Sequence, residues 1–581
     1  MISRISALAA ALMLSAAGTA FGQTIYPLDR AEILAGSQFD FKVEFPPVQD
    51  ASAVSVTING QDAKSVLTQP ADFLPSEDGE RSALWIRGAT LAKPGKYVVE
   101  ATVRGAEPVR VTWEVFATPA RKAKNVILFI GDGMSVAHRT AARILSKGLK
   151  EGRYGGELAI DDMPYMALVS TSGTDSVVTD SANSMSAYTT GHKSCVNALG
   201  VYCAHNKNTL DHPKVETIAE LVKRRSDMAV GVVTNTEIED ATPAGMVSHT
   251  RRRADYNDIV GMFYQVQPDV IMGGGSPNFL PKSTPGSKRT DDKDFLKQFQ
   301  DAGYSFVTSN TELKAAVQPG HTAKKLLGLF NTGNMDGALD RRLLKKGSVD
   351  KFPDQPDLTD QVGAALDILS KRDKGFVLMV ESGHIDKYSH VLDWERAIFD
   401  TIMLDNAVKL AKDFAAKKND TLVIVVADHA HPVSIVGTYD DDRKGDTARD
   451  KLGVYDEAKF PNYPPADAEG YPTSVEVSRR LAFVFGAFPD HCDTIRPHTE
   501  GPNVPAVKGD DGKYIANEKN CSGPQAVRRT GNLPTNQPQD VHAADDVVLT
   551  AIGPGAEQFH GRIDNTRVFR YMANALGLAK P

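Results

Sequence analysis

The sequence predicts an α/β fold, with a mostly parallel central sheet flanked by helices, a small β-sandwich before it and an inserted subdomain within it. Three observations support this prediction. After residue 125, apolar runs alternate with helix-like stretches, which is typical of a parallel sheet. Before residue 118, short alternating runs show no helical period. The 581 residues also exceed the roughly 100 to 200 of a usual single domain.

Residues 1–22 carry the pattern of a secretory signal peptide. Arg4 precedes an apolar run at residues 7–17, and a small-residue cleavage site precedes Gln23. No later stretch approaches the roughly 20 apolar residues that span a bilayer, so we expect no membrane span. These features predict a periplasmic or secreted protein.

Residues 23–118 form the predicted β-sandwich domain. Runs such as FDFKVEF, AVSVTI and KYVVEATV are separated by turn-forming residues, as in an antiparallel sandwich. A basic linker containing Pro119 follows, and residues 119–581 form the predicted α/β domain. Within that domain, residues 432–540 are rich in Pro, Gly, Asp and Asn, which indicates an inserted surface subdomain.

Charge and cysteine content narrow the partners and the compartment. The formal net charge of -7 gives no basic surface, so we expect no stable nucleic-acid complex. Four cysteines in an exported chain predict two disulfides rather than buried thiols. Proximity favours Cys195 with Cys203 and Cys492 with Cys521, although four cysteines allow three connectivities.

Three apolar runs end in acids: NVILFI leads to Asp132, FVLMV to Glu381 and TLVIVVA to Asp428, which His429 follows. In open sheets, ligands gather beyond the carboxyl ends of the strands, so we expect these side chains to converge. Asp132 also lies between two glycines, which would let a metal and a phosphate approach. Taken alone, that turn could equally be a plain loop.

Two further pairs could complete such a site. Asp386 and His390 are four residues apart and would share one face of a helix, a spacing that suits zinc but also an ordinary solvated charge pair. Ser181 follows Asp180 at the expected start of a helix, where the dipole and the free amides favour phosphate. The alternative is that either residue only caps the helix.

Five segments together resemble the alkaline phosphatase family, in the same order: GDGM, TDSANSMSAYTTG, EDATPAGMVSHTRRR, VESGHIDKYSH and ADHAH. The resemblance covers about residues 125–577, and the combination is specific although each segment alone is not. It implies an enzyme whose sheet carries two Zn²⁺ ions, one Mg²⁺ ion and a serine that becomes phosphorylated.

The resemblance also implies a role for each matching residue. The first zinc would be held by Asp386, His390 and His542, the last of which lies beyond the insertion. The second zinc would be held by Asp132, Asp428 and His429, next to the nucleophile Ser181, which would also be a metal ligand. Magnesium would be held by Asp132, Glu381, Thr242 and waters, with Asp240 reaching it through water.

Arg253 lies thirteen residues after Asp240, the spacing at which the family places its phosphate-clamping arginine, with Arg251 and Arg252 as rivals. A guanidinium can hold two non-bridging oxygens in a bidentate fork, which favours monoesters over diesters. Lys387 resembles the bacterial form of the family, in which a lysine contacts phosphate through water.

Other residues complete this assignment. Asp180 joins Arg253 and Lys387 as a substrate-binding residue. Four histidines match no ligand position, and packing or surface roles are expected for them; they are His138, His192, His249 and His431.

The expected reaction is hydrolysis of phosphate monoesters to inorganic phosphate through a phosphoserine intermediate. One alternative is a phosphodiesterase of the same superfamily; a sulfatase would need a C/S-x-P-x-R motif, which DSANSM lacks. Another is an exported binding protein with a vestigial site. Members of this family are commonly homodimers, so the resemblance leaves a homodimer as one possibility. The N-terminal domain or the insertion could block the interface of such a dimer.

Overall fold

The computed structural model describes residues 22–320, 323–445, 447–523 and 525–579 of the chain. The predicted signal peptide, except for residue 22, lies outside the described residues. Within those ranges, no helix combines the length and the apolar character needed to cross a membrane. The chain divides into two compact units, which are described separately.

Among the described residues, the first unit contains residues 22–31, 40–89 and 96–114. The chain from residue 24 to residue 116 is almost entirely strand, and its strands and one short helix are Thr24–Tyr26, Glu32–Leu34, Gln38–Phe45, Val54–Ile58, Gln61–Asp62, Ala63–Leu67 (helix), Ala71–Glu77, Arg81–Thr90, Gly95–Val103 and Val109–Phe116. They form a four-stranded and a five-stranded sheet. Phe41 of the first sheet and Trp113 of the second meet edge to face at 5.9 Å, so the apolar faces of the two sheets pack together.

The second unit, residues 32–39, 90–95 and from 115 onward, is built on a ten-stranded sheet. Its strands in chain order are β1 Asn125–Gly131, β2 Tyr165–Ser170, β3 Ala229–Glu237, β4 Val270–Gly274, β5 Ser305–Val307, β6 Leu326–Leu329, β7 Phe376–Ser382, β8 Thr421–Val426, β9 Val547–Ile552 and β10 Gly561–Asp564. Their order across the sheet is β5-β6-β4-β3-β7-β1-β8-β9-β2-β10. Only β9 runs antiparallel to its neighbours among these strands. The predicted α/β fold with a mostly parallel sheet is confirmed.

Helices pack against this sheet, because its central strands are apolar on both faces and need cover on each. The 23-residue helix Trp394–Ala416 packs on β1, β7 and β8, the three strands that end in the predicted acids. The other α-helices are Val136–Lys147, Ser181–Thr190, Ile218–Ser226, Ala241–Ala244, Tyr256–Val266, Phe295–Asp301, Asn310–Ala316, Leu358–Leu369, His384–His390, Ala448–Lys451 and Thr566–Leu576, and one π-helix spans Asp340–Leu344.

A long segment between β8 and β9 carries small sheets of its own. Its strands are Val433–Asp440, Leu452–Gly453, Arg479–Phe485, His491–Asp493, Ala506–Lys508, Tyr514–Ala516 and Val527–Arg529. A disulfide between Cys492 and Cys521 closes part of it, and the second disulfide joins Cys195 to Cys203. Both are the favoured pairs, so that prediction is confirmed.

Candidate active site

The chain turns sharply at Asp132, directly after β1. Gly133 has a positive φ of 64°, and a Cβ there would lie 2.6 Å from the His431 ring, so only glycine fits. The Gly133 amide donates to Asp428 Oδ1 over 3.1 Å, which joins the end of β1 to the end of β8. Asp132 is buried, and burial together with the nearby Asp386 charge raises its pKa to about 7.

Glu381 lies in β7, the neighbour of β1. Thr234 and Thr236 of β3 donate hydroxyl hydrogen bonds to its Oε2. Burial and then the charge of Asp132 raise its pKa to about 8. Thr242, in the short helix after β3, donates to Asp132 Oδ2 over 3.4 Å. These contacts gather an all-oxygen group of side chains at the carboxyl edge of the sheet.

Asp428 and His429 follow β8 and face the same group. His429 Nε2 lies 3.2 Å from Asp132 Oδ1, 3.4 Å from Asp428 Oδ2 and 3.3 Å from Ser181 Oγ. Burial lowers the pKa of His429 to about 3, which keeps its ring neutral near pH 7. Burial and the neighbouring Asp132 charge raise the pKa of Asp428 well above its usual value.

Asp386 and His390 share a face of the helix His384–His390. They lie close to His542, which follows the insertion in the sequence. Asp386 Oδ1 lies 3.3 Å from Nε2 of both His390 and His542. Each histidine Nδ1 faces a backbone carbonyl, that of Asp540 at 2.7 Å and that of Thr179 at 2.8 Å. A carbonyl only accepts, so each Nδ1 carries the hydrogen and each neutral Nε2 presents a lone pair.

His431 is buried in the middle of this cluster, although its sequence context gave no reason to expect it there. Its Nε2 donates to Asp386 Oδ1 over 2.8 Å, and its Nδ1 donates to Asp540 Oδ2 over 2.7 Å. Burial opposes its charge, but these two carboxylates raise the pKa of His431 to about 9. In return, His390, His431 and His542 hold the pKa of Asp386 below its usual range, against the effect of burial.

Ser181 is the first residue of the helix Ser181–Thr190. Asp180 is its N-cap, and the Asp180 carboxylate accepts from the Asn183 amide in a capping box. The serine hydroxyl is therefore held at a helix N-terminus, where free amides and the dipole favour an anion. Ser181 lies at the helix start that the sequence predicted, and it is buried, with 3% of the residue exposed.

An ion-pair network lies beside the serine. Arg253 donates to Asp240 Oδ1 over 2.8 Å and to Asp180 Oδ2 over 3.3 Å, and Lys387 donates to Asp240 Oδ2 over 2.7 Å. Burial opposes ionisation of Asp240, but Lys387 and Arg253 hold its pKa below the usual range. Arg251 instead donates to a backbone carbonyl, and Arg252 is largely exposed, so Arg253 is the arginine placed at the site.

A cavity of about 350 Å³ joins these parts. Its lining residues are Ser181, Arg253, Asp386, Lys387, His390, Gln539 and His542. Gln539, from the end of the insertion, is a lining residue that no sequence pattern indicated. Three of the four histidines that matched no ligand position make contacts outside the cluster. His138 contacts Ser389, His192 contacts Tyr202, and His249 contacts Glu220.

The side chains at this edge fit cations. The buried polar atoms that have no hydrogen-bond partner among the described residues include three at this edge: Asp132 Oδ1, Asp428 Oδ2 and His429 Nδ1. Two sets of donor atoms could each hold one ion, all within 4.8 Å of one another: Asp386, His390, His431 and His542, and Asp132, Asp386 and His429. The facing Nε2 lone pairs of His390 and His542, 3.1 Å apart, would also be satisfied by a shared ion.

Together, the fold and the site define an α/β protein with a candidate metal-binding edge beside a buried serine. A family model described as alkaline phosphatase matches residues 123–578. The alkaline phosphatase of Escherichia coli K12 is 36% identical over 353 residues, covering 54% of this chain and 72% of the relative. The tissue-nonspecific alkaline phosphatase of Gallus gallus is 31% identical over 494 residues, covering 78% of this chain and 84% of the relative.

A solved structure gives the same result. The Thermus thermophilus alkaline phosphatase has a TM-score of 0.56 and 25% identity, covering 80% of this chain and 93% of that one. The chain therefore belongs to the alkaline phosphatase family and is an enzyme of that family, as its motifs predicted.

Proposed function

We propose that this enzyme hydrolyses phosphate monoesters through a phosphoserine on Ser181. The observation that carries the proposal is one cavity that the key side chains share. Ser181, Arg253 and the cluster of Asp386, His390 and His542 all line it. Ser181 Oγ would form a bond to phosphorus as the bond to the alcohol oxygen breaks. Water would then cleave the phosphoserine, releasing inorganic phosphate and restoring the serine.

Arg253 would bind two oxygens of the phosphoryl group. Its ion pairs with Asp240 and Asp180 orient the guanidinium before substrate arrives. Lys387, fixed by Asp240, adds positive charge to the same wall of the cavity. A diester has only two non-bridging oxygens and a bulky second substituent, so it would use this arginine poorly, and monoesters are favoured.

We infer that the site holds two zinc ions and one magnesium ion, and the two groups of candidate ligands support this. Zinc accepts nitrogen and oxygen ligands, so Asp386, His390 and His542 would hold one zinc, and Asp132, Asp428 and His429 the other. Magnesium prefers oxygen, so Asp132, Glu381 and Thr242 would hold it, with Asp240 reaching it through water. When bound, the metals would lower the pKa of the Ser181 hydroxyl and stabilise the departing oxygen.

Substitution of the serine tests the covalent route. Ser181→Ala should reduce turnover of an aryl phosphate by three orders of magnitude or more, roughly as loss of a nucleophile does in other covalent enzymes. Metal content should stay at the wild-type level. Ser186→Ala, on the same helix with its hydroxyl bonded to the Ala182 carbonyl, is the matched control and should retain turnover. Wild-type turnover in metal-loaded Ser181→Ala would exclude the phosphoserine.

A second measurement separates the monoesterase from a diesterase. Rates on a monoester and a diester of the same phenol should favour the monoester strongly in the wild type. Arg253→Ala should reduce that preference, because the fork that recognises a terminal phosphoryl group is lost. A faster rate on the diester would instead support the phosphodiesterase alternative.

We further infer that the chain is exported to the periplasm or the medium, with residues 1–22 removed as a signal peptide. Residues 23–118 would form a separate domain, residues 119–581 the catalytic domain, and residues 432–540 an insertion in it. Mass spectrometry of the mature protein would test the cleavage site, and light scattering would test the homodimer.

A further inference from the structure

A second cavity, of about 360 Å³, lies within the catalytic unit between the inserted segment and the start of the helix Trp394–Ala416. Aromatic side chains form much of its lining: Trp394, Tyr439, Phe483, Phe485 and Phe488. Trp394 and Phe483 stack on each other with ring centroids 5.5 Å apart, so they form one aromatic wall. The volume lies in the range of small-molecule sites, roughly 300 to 1,000 Å³.

Glu395 also lines this cavity, and only 3% of the residue is exposed. Within the described part of the chain, its carboxyl group makes no ion pair and no hydrogen bond to another residue. Burial, and then the charge of Asp393, raise its pKa to about 8. Buried carboxylates are ordinarily paired, so an unpaired one facing an aromatic cavity indicates a missing partner.

The cationic side chains around the cavity are already paired with other acids. Arg480 and Arg496 both donate to Asp441, and Arg529 donates to Asp493. Arg396, next to Glu395 on the helix, is likewise held by Asp340 and Asp393. An anionic ligand would therefore meet arginines that are already engaged and a carboxyl group that repels it.

We propose that this cavity, called here the Glu395 cavity, binds a small organic ammonium ion with an aromatic or aliphatic body. The ammonium group would pair with Glu395, and the apolar body would pack on the aromatic rings. A cation near such rings gains cation–π attraction in addition to the ion pair. Among the described residues, neither group of side chains that could hold a metal ion includes Glu395, whereas an organic cation uses both the carboxyl group and the aromatic rings of the cavity.

Three probes of similar shape test the charge preference: 2-phenylethylammonium, 2-phenylethanol and phenylacetate. Binding would be measured by calorimetry on the metal-loaded enzyme saturated with inorganic phosphate, which keeps the probes out of the catalytic cavity. The ammonium ion should bind at least tenfold more tightly than the alcohol, and phenylacetate should not bind. Equal binding of ammonium ion and alcohol, stronger binding of phenylacetate, or no binding of the ammonium ion would overturn the proposal.

Matched variants locate the binding. Glu395→Gln keeps the shape of the neutral acid and should weaken ammonium binding at least tenfold while leaving alcohol binding unchanged. Asp413→Asn, an exposed acid on the same helix, should change neither. Phe488→Ala, at the half-buried rim of the cavity, should weaken the binding of both the ammonium ion and the alcohol. This variant keeps the test valid if Glu395→Gln folds poorly. Unchanged ammonium binding in both Glu395→Gln and Phe488→Ala would place the binding elsewhere.

A pH series gives a further readout. The ammonium ion needs the ionised carboxylate, so its affinity should rise as pH rises from 6 to 8.5 in the wild type and not in Glu395→Gln. The charges of Asp393, Arg480 and Arg396 act on Glu395, and the buried Tyr463 faces it as well, since burial and then the charge of Glu395 raise the pKa of Tyr463. The cavity's other ionisable lining groups are Tyr439, His491, Asp493, Arg496, His498 and Arg529. These groups remain in the variant, so an identical pH dependence there would overturn the assignment to Glu395.

Discussion

Two groups of buried acids at the same edge of the sheet behave in opposite ways. Asp132, Glu381 and Asp428 have raised pKa values, whereas Asp240 and Asp386 have lowered ones. Burial does not explain the difference, because all five residues are at most 8% exposed. The difference lies in their partners.

Asp240 is held by Arg253 and Lys387, and Asp386 by the protonated His431. The first group contacts threonine hydroxyls, backbone amides and a neutral His429 instead. The protein therefore supplies cationic side chains to Asp240 and Asp386. The other three acids have none, so they would be neutralised by protons or by metal ions from solution. In the proposed function, Asp240 orients the residues that grip the phosphoryl group, the first group would hold metal, and Asp386 would also hold metal, beside His390 and His542.

Removal of metal should produce the largest effect. Exhaustive chelation should reduce phosphatase turnover to background, because the site would lose its charge stabilisation, and added zinc and magnesium should restore it. The midpoint of thermal unfolding should fall as well, since the first group of acids would lose its counterions. Turnover that survives complete metal removal, verified by elemental analysis, would contradict the proposed role of the first group and favour a vestigial or metal-independent site.

Substituting one acid from each group should give the next largest effect. Asp132→Asn should lower both bound metal and turnover, by more than the roughly 10- to 100-fold typical of losing an outer partner of a metal ligand. Asp240→Asn should leave most metal in place and mainly raise KM, because Arg253 and Lys387 lose the carboxylate that orients them. Elemental analysis and steady-state kinetics on both variants check this contrast. Equal metal loss in the two would show that the groups are not distinct.

The sequence predicted the first group well. Asp132, Glu381 and Asp428 each follow or end an apolar run, and parallel strands bring such ends to one edge. The sequence could not show that β7, β1 and β8 are immediate neighbours, since strand order depends on long-range pairing. Short strands such as β5 and β10, of three and four residues, were also not predicted, because so few residues carry no period.

The partners of the second group were less predictable. His431 lies in a loop two residues after His429, where no periodicity assigns a direction to a side chain. Its second partner, Asp540, is 109 positions away at the end of the insertion. Gln539 enters the catalytic cavity from the same segment. Contacts between distant loops depend on the folded chain, and only motif resemblance carried His542 into the prediction.

Loss of the His431 bridge should have an intermediate effect. His431→Ala removes the donor that orients Asp386, so affinity for the metal beside His390 and His542 should fall about 10- to 100-fold. Metal titration of the stripped variant checks this. His249→Ala, which also removes a buried histidine bonded to an acid, should leave metal affinity unchanged and serves as the control.

Asp540→Asn tests whether the bridge acts as one unit. We expect Asp540 to act on the metal through His431. A variant that carries both Asp540→Asn and His431→Ala should therefore bind metal about as weakly as His431→Ala alone. Additive losses would show that Asp540 contributes separately.

The smallest expected effect is on the free energy of unfolding of the metal-free protein. Substituting an acid from the first group should stabilise this protein increasingly as pH rises, whereas substituting one from the second group should destabilise it. The pKa of Glu381 is about 8 when folded and about 4.3 in an unfolded chain, so between these values the folded state holds more protons. Its contribution to stability, present below pH 4, is therefore lost as pH rises toward 8.

Glu381→Gln keeps the shape of the neutral acid and removes this titration. The metal-free variant should gain stability over the metal-free wild type by about 1.4 kcal/mol per pH unit between pH 5.5 and 7.5. Comparing the two proteins cancels the contribution of the histidines, which titrate near pH 6.5 in the unfolded chain of both. Asp240→Asn, whose acid has a lowered pKa, should instead cost a constant amount across this window, since that acid is ionised in both states. Urea unfolding at each pH provides the free energies. A constant offset for Glu381→Gln would mean that Glu381 is ionised in the metal-free protein, and that the two groups of acids do not differ in the way their partners imply.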